Sequence, residues 1–474
     1  MAMSLPFVDR SSSSLPLQFV GQSKWQGWLK EQSVARRGWI ESLGIAGAPG
    51  DLVVLPGSDG KAAGAVLVLS AKSTLWDFGA LATKLPPGTW KFAGRFAADM
   101  APVSPTDAAV AIGLGAWRFE RYRSKKGKAG PRIVWPEGVD KARVTAMVEA
   151  ISLARDLITT PSSDMGPAEL AAAVQQVGKK NKAKVKVITG DALLKQNFPM
   201  VHAVGRASAR APRLIDLVWG RARDPKVTLV GKGVCFDTGG LDLKPSTGML
   251  MMKKDMGGAA TMLAVASMVM AAKLRVRLRL LIPAVENSVS GNAFRPMDVV
   301  PTRKGITVEI GNTDAEGRLI LCDALYEGAS EKPAMMIDCA TLTGAARVAL
   351  GPQLPALFSN RFGLARGLMD LGLAMGDRVE ITTPGGSLVA HTMIHAGIAP
   401  GARARAVDAA PTREARPRRK PGAAPAATRA AVLGIGAGVD ADLAALQGST
   451  LAFLLLFLLL FGTKRVVMPG LAGT

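Results

Sequence analysis

The sequence predicts an α/β protein with a small N-terminal α/β domain and a larger α/β domain, whose central sheet is mainly parallel and flanked by helices. A chain of 474 residues exceeds what one ordinary core holds, which predicts two or three domains. Its first part contains short apolar runs separated by turn residues. From Lys226 onward, β-branched runs alternate with helical patterns. Such alternation is typical of a parallel sheet that places ligands at the carboxyl ends of its strands.

The N-terminal domain is expected to span residues 1–139. Three short apolar runs, each bounded by Gly, Pro or Ser, predict strands with helices between them: Asp51–Leu55, Ala65–Leu69 and Ala108–Leu114. The basic, glycine-containing segment Arg118–Arg132 predicts a surface loop or linker.

The larger domain is expected to span residues 140–376. Apolar residues recur at helical spacing in Asp140–Ile158, and this helix should stop before Thr160-Pro161 because a residue that precedes proline avoids helical geometry. Leu274–Val285 alternates cations with apolar residues and then becomes fully apolar. The remaining pattern predicts helices at Pro167–Gly178, Met256–Ala272 and Arg318–Glu327, and strands at Lys184–Ile188, Val227–Val230, Ile306–Ile310 and Ala334–Ala340.

Residues 377–474 form a tail of different character. Gly, Ala, Pro and Arg dominate up to Gly448, a composition typical of low-complexity or disordered sequence. The apolar run Leu451–Phe461 falls well short of the roughly 20 residues that span a bilayer, so we expect a buried or aggregation-prone segment and no membrane partner.

Charge and cysteine content restrict the possible partners and compartment. The net charge of +22 could indicate nucleic-acid binding, but the cations are spread along the chain and few aromatic residues accompany them. The three cysteines include no CxxC pair, which argues against disulfides and against a thiolate zinc site. Met1–Gln22 lacks the features of a secretory signal, so we expect a cytoplasmic protein.

Charged residues recur in four apolar or glycine-rich clusters, which comprise Gly231–Gly240, Leu243–Pro245, Lys254–Gly258 and Asn312–Arg318. Taken singly, each has a structural explanation: Asp237 could form a turn, and Asp255 could cap a helix. Taken together, four carboxylates and two lysines lie at the strand ends and helix starts of one predicted sheet, so they can converge. The residues concerned are Lys232, Asp237, Lys244, Asp255, Asp314 and Glu316.

Converging carboxylates repel one another and therefore imply a cationic centre, which two divalent metals about 3.5–4 Å apart would supply. The three histidines, His202, His391 and His395, lie far from these clusters in the sequence, so the ligands must be mainly oxygen. An oxygen-rich site favours zinc, manganese or magnesium. Neither a phosphate-binding loop, nor GxGxxG at Gly231, nor HExxH, nor GxSxG matches the chain.

The run Asn312–Leu319 resembles the signature of the leucyl (cytosol) aminopeptidases, a family of metallopeptidases. Val230–Ala260 resembles the metal and catalytic-lysine region of that family, and Thr341–Ala345 resembles its substrate-pocket strand and turn. Arg155–Leu157 through Met165–Pro167 resembles the opening of its catalytic domain, and the whole resemblance covers roughly residues 140–376.

The resemblance implies a dinuclear aminopeptidase that removes N-terminal residues from peptides. One metal, Mn²⁺ or Zn²⁺, would be held by Asp237, Asp314 and Glu316, and the other by Lys232, Asp237, Asp255 and Glu316. Lys244 would stabilise the oxyanion, and Arg318 would hold a bicarbonate that shuttles a proton. By the same resemblance, the first side chain of the substrate would contact Met252, Thr341, Leu342 and Gly344. The family also implies a homo-oligomer, a hexamer.

The tail departs from the family, whose members continue with more catalytic-domain strands and helices. This departure keeps two other interpretations open. One is a basic nucleic-acid-binding protein on the same scaffold, and the other is an inactive remnant with a disrupted C-terminus.

Overall fold

A computed structural model describes residues 5–93, 103–125, 127, 129–342, 344, 355–360, 362–374, 380–381 and 392–397. In Phe362, 371–374, 380–381 and 392–397 it describes the backbone only. Most of the predicted tail, including Leu451–Phe461, lies outside the described residues. Within them, no helix has both the length and the apolar character needed to cross a membrane.

The N-terminal domain packs short helices around a six-stranded sheet. Its strands are β1 (Phe7–Val8), β2 (Leu15–Gly21), β3 (Leu52–Pro56), β4 (Ala62–Leu69), β5 (Thr89–Phe92) and β6 (Arg132–Val134). Its helices are α1 (Trp25–Lys30), α2 (Val34–Ser42), α3 (Leu81–Lys84) and α4 (Pro105–Gly115). The strand order is β1-β6-β5-β2-β4-β3, in which only β3 runs antiparallel to its neighbour.

The predicted strands Asp51–Leu55 and Ala65–Leu69 are confirmed as β3 and β4. The strand predicted at Ala108–Leu114 is wrong, because these residues form most of α4. Ser104 caps this helix by accepting a hydrogen bond from the Asp107 amide (3.1 Å), and Pro105 occupies its first turn. The run is apolar on every side because the helix is buried between the two domains, so its periodicity could not reveal a helix.

In the larger domain, helices pack on both faces of the central sheet. Its helices are α5 (Lys141–Thr159), α6 (Pro167–Asn181), α7 (Ala192–Lys195), α8 (Pro199–Gly205), α9 (Ser246–Met249), α10 (Gly257–Ala271), α11 (Glu316–Ser330) and α12 (Phe362–Ala374). Its strands are β7 (Lys184–Thr189), β8 (Arg213–Trp219), β9 (Lys226–Gly231), β10 (Gly233–Asp237), β11 (Arg277–Asn287), β12 (Val299–Pro301), β13 (Thr307–Glu309), β14 (Met335–Thr341), β15 (Ala356–Ser359), β16 (Glu380–Ile381) and β17 (Thr392–Gly397).

The central sheet is mixed, with a parallel centre. Its order is β16-β15-β17-β14-β9-β11-β8-β7, and β10 continues beside β11. Strands β14, β9, β11 and β10 are parallel, whereas β8 and β7 add an antiparallel edge. The segment predicted as a strand at Ile306–Ile310 does form β13, but it pairs with β12 in a separate hairpin. The other predicted helices and strands of this domain are present within a few residues of their expected limits.

Two backbone segments of the predicted low-complexity tail join this sheet. β17 pairs antiparallel with β14, and β16 pairs with β15. The domain limits 1–139, 140–376 and 377–474 remain a prediction.

The parallel centre brings several chain segments to one edge of the sheet. The apolar helix α10 packs against β9 and β14 and is buried over almost its whole length. Its start lies so close to β14 that a Cβ added at Gly258 would lie 2.0 Å from the Cys339 carbonyl oxygen. Only glycine permits this approach, which places the residues before α10 beside the ends of β9 and β14.

Candidate functional site

Lys232 lies between β9 and β10, where both of its backbone groups are bonded. Its amide donates to Cys339 O (3.0 Å) on β14, and its carbonyl accepts from Ala259 N (2.8 Å) in α10. The residue is 2% exposed. Its Nζ lies 2.7 Å from Asp255 Oδ2 and 2.9 Å from Glu316 Oε1, and it also donates to Thr341 O. Three elements therefore converge on this ammonium group.

Gly317, in the first turn of α11, leaves the space that Lys232 occupies. A Cβ at this position would lie 2.6 Å from Cε and 2.8 Å from Nζ of Lys232. A Cβ atom does not come this close to another side chain, so the glycine permits Lys232 to reach Asp255 and Glu316 together.

Asp237 ends β10 and is held by three groups. Its Oδ1 accepts hydrogen bonds from Gly239 N and Asn287 Nδ2, each at 2.9 Å. Its Oδ2 lies 2.9 Å from Lys244 Nζ, and the same ammonium group contacts Asp314 Oδ1. Asp237 and Asn287 are register partners in β10 and β11, so sheet pairing itself brings the amide to the carboxylate.

Three of the carboxylates form a compact buried group. Asp237, Asp255 and Glu316 offer oxygen atoms that all lie within 4.8 Å of one another, and each residue is at most 3% exposed. Asp314 is half-buried at the side of this group, with 34% of its side chain exposed. An arrangement of this kind can bind cations, because carboxylates forced together out of water need opposite charge.

The electrostatics of the group are tightly coupled. Burial opposes the charge of Lys232, but the carboxylates of Asp255, Glu316 and Asp237 outweigh burial and raise its pKa. Burial raises the pKa of Glu316 to about 8, against the opposing effect of Lys232. Burial also raises the pKa of Asp314, although the hydrogen bond from Lys244 opposes it. Burial therefore disfavours the charged forms of Glu316 and Asp314 more than the nearby lysines favour them.

An open cavity of about 230 Å³ exposes this group to substrate. Its lining includes ten of the residues predicted from the sequence: Lys232, Asp237, Lys244, Met252, Asp255, Asp314, Glu316, Arg318, Leu342 and Gly344. Thr341, also predicted, is buried beside Asp255, where its hydroxyl donates to Oδ1 (2.7 Å). The structure thus brings all eleven residues together.

Sequence reasoning missed several residues of the site. Lys254 lines the cavity and burial lowers its pKa, and Asn287 and Thr313 are fully buried beside Asp237. Thr313 is held by Asp242, whose Oδ2 accepts from the Thr313 amide (2.7 Å). Asn287 could have been noticed only because it is a polar residue at the end of the apolar strand β11.

Comparison with known proteins gives the family. A sequence model described as "Cytosol aminopeptidase family, catalytic domain" matches residues 152–383, and one described as "M17 aminopeptidase, N-terminal domain" matches residues 15–136. A probable cytosol aminopeptidase of Sinorhizobium fredii is 36% identical over 361 residues, which cover 72% of this chain and 71% of that protein. The chain belongs to the cytosol aminopeptidase family.

Solved structures share the fold. The cytosol aminopeptidase of Coxiella burnetii has a TM-score of 0.75 and 41% identity, with 83% of this chain and 93% of that chain covered. The bottromycin maturation enzyme BotP, solved in complex with Mn, has a TM-score of 0.67 and 30% identity, with coverages of 81% and 86%. In three further curated relatives, the matched region spans 53%, 55% and 64% of their length.

The family comparison agrees with the fold expected from the sequence. Both matched regions fall on the two α/β domains, and the catalytic-domain match contains the entire buried carboxylate group. The chain therefore contains the part of the family fold on which the candidate site is built.

Proposed function

We propose that the chain is a metal-dependent, leucyl-type aminopeptidase that hydrolyses N-terminal residues from peptides. The observation that carries this proposal is the group of three buried carboxylates, Asp237, Asp255 and Glu316, at a cavity that also presents the Lys244 ammonium. Family membership supports the same activity. The matching relatives are named as aminopeptidases, which favours peptide hydrolysis over the nucleic-acid-binding alternative.

The donor set fits two divalent cations. Four carboxylates face two ion-paired lysines, and burial, together with the neighbouring carboxylates Asp237 and Asp255, raises the pKa of Glu316, so added positive charge would stabilise the group. We assign Asp237, Asp314 and Glu316 to one cation, and Lys232, Asp237, Asp255 and Glu316 to the other. Manganese or zinc suits these ligands, and the manganese complex of BotP supports the former. Such cations, when bound, lower the pKa of a water molecule and polarise a carbonyl group.

The protein's own cations have separate roles at the same cavity. Lys244 is fixed by Asp237 and Asp314, so its ammonium is already oriented when negative charge develops on the scissile carbonyl oxygen. Arg318 is exposed at the cavity lining, where its guanidinium would hold a bicarbonate, a group that could supply proton-transfer chemistry.

The cavity also provides contacts for the first side chain of the substrate. Met252 and Leu342 supply apolar surface, and Gly344 leaves the lining open. Thr341 acts from behind by holding Asp255. These residues suit an N-terminal residue with an aliphatic body.

We propose, from the family and from the names of its relatives, a cytoplasmic protein that forms a homo-hexamer. Light scattering coupled to size-exclusion chromatography would show a mass six times that of the chain. A fully active monomer would show that the hexamer is not required for function.

Hydrolysis of leucine amide tests the activity. The purified chain is assayed after chelation and again with manganese or zinc restored, with Asp255→Asn as a matched variant. We expect activity to disappear with the chelator, return with metal, and stay absent in the variant. Folded, metal-loaded protein without activity would favour the remnant interpretation, and a salt-sensitive shift of DNA that ignores chelation would favour nucleic-acid binding.

A further inference from the structure

Lys254 is a buried cation inside the proposed substrate cavity. It lies in the short 3-10 turn Met252–Met256, between β10 and α10. Its side chain is nine-tenths buried, with 9% of the residue exposed, and it contributes to the cavity lining together with Met252 and Leu342. A lysine at such a depth needs a partner, because desolvation of its amine is costly.

The other lysines of this region have partners. Lys232 contacts Asp255 and Glu316, and Lys244 contacts Asp237 and Asp314. The adjacent Lys253 donates its Nζ to Thr159 O (2.7 Å). In the described part of the chain, by contrast, no side-chain hydrogen bond or ion pair joins Lys254 to another residue. Among the described residues its amine therefore has no hydrogen-bond partner, and the residue lines a cavity that a ligand would enter.

Lys254 lies within electrostatic reach of Asp255 and Asp237, which attract its charge, and of Lys232 and Lys244, which repel it. The carboxylates are already contacted by Lys232 and Lys244, and the two cations of the proposed function would supply four further positive charges. With those cations bound, another ammonium group in the cavity adds repulsion, which an anionic group of the substrate would relieve.

We infer that Lys254 is a specificity residue that binds the side-chain carboxylate of the N-terminal residue, so that peptides beginning with glutamate or aspartate are substrates. The inference rests on the proposed function, because it concerns the same cavity. Met252 and Leu342 line the same cavity as Lys254, so they can contact the aliphatic part of such a side chain while the Lys254 amine donates to its carboxylate. A carboxylate that arrives with the substrate supplies both a hydrogen-bond acceptor and the opposite charge.

The test compares two substrates in four proteins. Hydrolysis of the α-amides of glutamate and of leucine is measured with the metal-loaded wild type and with Lys254→Met, Lys254→Arg and Lys253→Met. We expect Lys254→Met to lower the glutamyl-to-leucyl ratio of kcat/KM by about 10- to 100-fold, mainly through KM, which is the usual effect of losing a hydrogen bond to a charged group. Lys254→Arg should restore part of the ratio. Lys253→Met removes a neighbouring ammonium that points elsewhere and should leave the ratio unchanged.

A binding measurement separates this inference from the proposed function. Calorimetric titration with free glutamate and free leucine should show a glutamate preference in the wild type and its loss in Lys254→Met, with thermal melting used to confirm that each variant is folded. An unchanged ratio in a folded Lys254→Met that still hydrolyses leucine amide overturns the inference and leaves the aminopeptidase in place. If neither amide is hydrolysed, the proposed function is wrong, and the calorimetric preference decides the inference by itself.

Discussion

Asn287 holds the site together although it touches neither the cavity nor a substrate. The residue is fully buried at the end of β11. Its Nδ2 donates to Asp237 Oδ1 (2.9 Å) and to Thr313 O (3.1 Å). Asn287→Leu keeps the approximate volume and removes both hydrogen bonds, so the variant isolates the contribution of this one amide group.

The expected effect follows from the two contacts. A hydrogen bond to a charged group contributes roughly 1.5–3 kcal/mol, and a buried carbonyl left without a donor costs roughly 1–3 kcal/mol. The added apolar contact of leucine offsets part of the loss, so we expect the free energy of unfolding to fall by about 3 kcal/mol. Asp237 would also lose its orientation, and loss of a group that orients a metal ligand typically weakens metal binding by about 10- to 100-fold.

Urea unfolding of the metal-free protein and competition titration with manganese measure the two effects separately. Asn181→Leu is the matched control, because its Nδ2 donates to Val177 O (2.9 Å) in α6, remote from the carboxylates in the fold. The control should lose stability and retain its affinity for manganese. If Asn287→Leu kept wild-type manganese affinity, the argument that Asn287 orients Asp237 as a ligand would be refuted.

Three further changes test other parts of the site. Lys244→Met should lower kcat for leucine amide by about 100- to 1000-fold, as loss of an oxyanion donor does. Its metal content, measured by emission spectrometry, should be unchanged. Near-normal turnover would exclude Lys244 as the oxyanion donor. Gly317→Ala should lower the free energy of unfolding, measured with urea, by about 1–3 kcal/mol, because its methyl group would displace Lys232. Gly291→Ala is the control, because a Cβ at this position meets nothing within 4 Å. Equal losses of stability in the two variants would contradict the packing argument. Because the pKa of Glu316 is raised from 4.5 to about 8 in the folded state, its contribution to the stability of the metal-free protein is present at low pH and is lost as the pH rises through about 8. Unfolding measured from pH 5 to 9 should show this decline, and Glu316→Gln should flatten it.

The sequence predicted the charged residues of the site because they stand out chemically. Carboxylates and lysines among glycines and apolar residues, such as Asp237 and Glu316, are conspicuous along the chain, and strand–helix alternation predicts that they meet at one edge of a sheet. Asn287 could not be recognised in this way, because its role depends on a register with Asp237 that is set by sheet pairing over 50 residues. Lys254 was visible in its motif, yet only the placed side chains reveal that its amine has no hydrogen-bond or ion-pair partner among the described residues.

Burial explains where pattern-based prediction of the fold failed. An apolar run surrounded by protein on all sides loses the periodicity that distinguishes a helix from a strand, as in α4, where Ala108–Leu114 is buried throughout. The hairpin of β12 and β13 shows a second limit, because a strand pattern does not say which partner the strand will take. Where flanking chemistry was specific, as at Thr160-Pro161 after α5, the predicted end of the helix agreed with the structure.

The site also depends on β17, a strand that was not predicted from the sequence and that supports β14. β14 ends at Thr341, whose hydroxyl holds Asp255 and whose carbonyl oxygen accepts from Lys232. On one side β14 pairs with β9, and on the other it pairs with β17, with Thr341 opposite Thr392. The pairing with β9 reaches Cys339, and the pairing with β17 continues to Thr341 itself, so a segment beyond residue 376 helps to position Thr341. Since the carboxylates tolerate little displacement at such close distances, the support of β14 is as much a part of this site as the charged groups themselves.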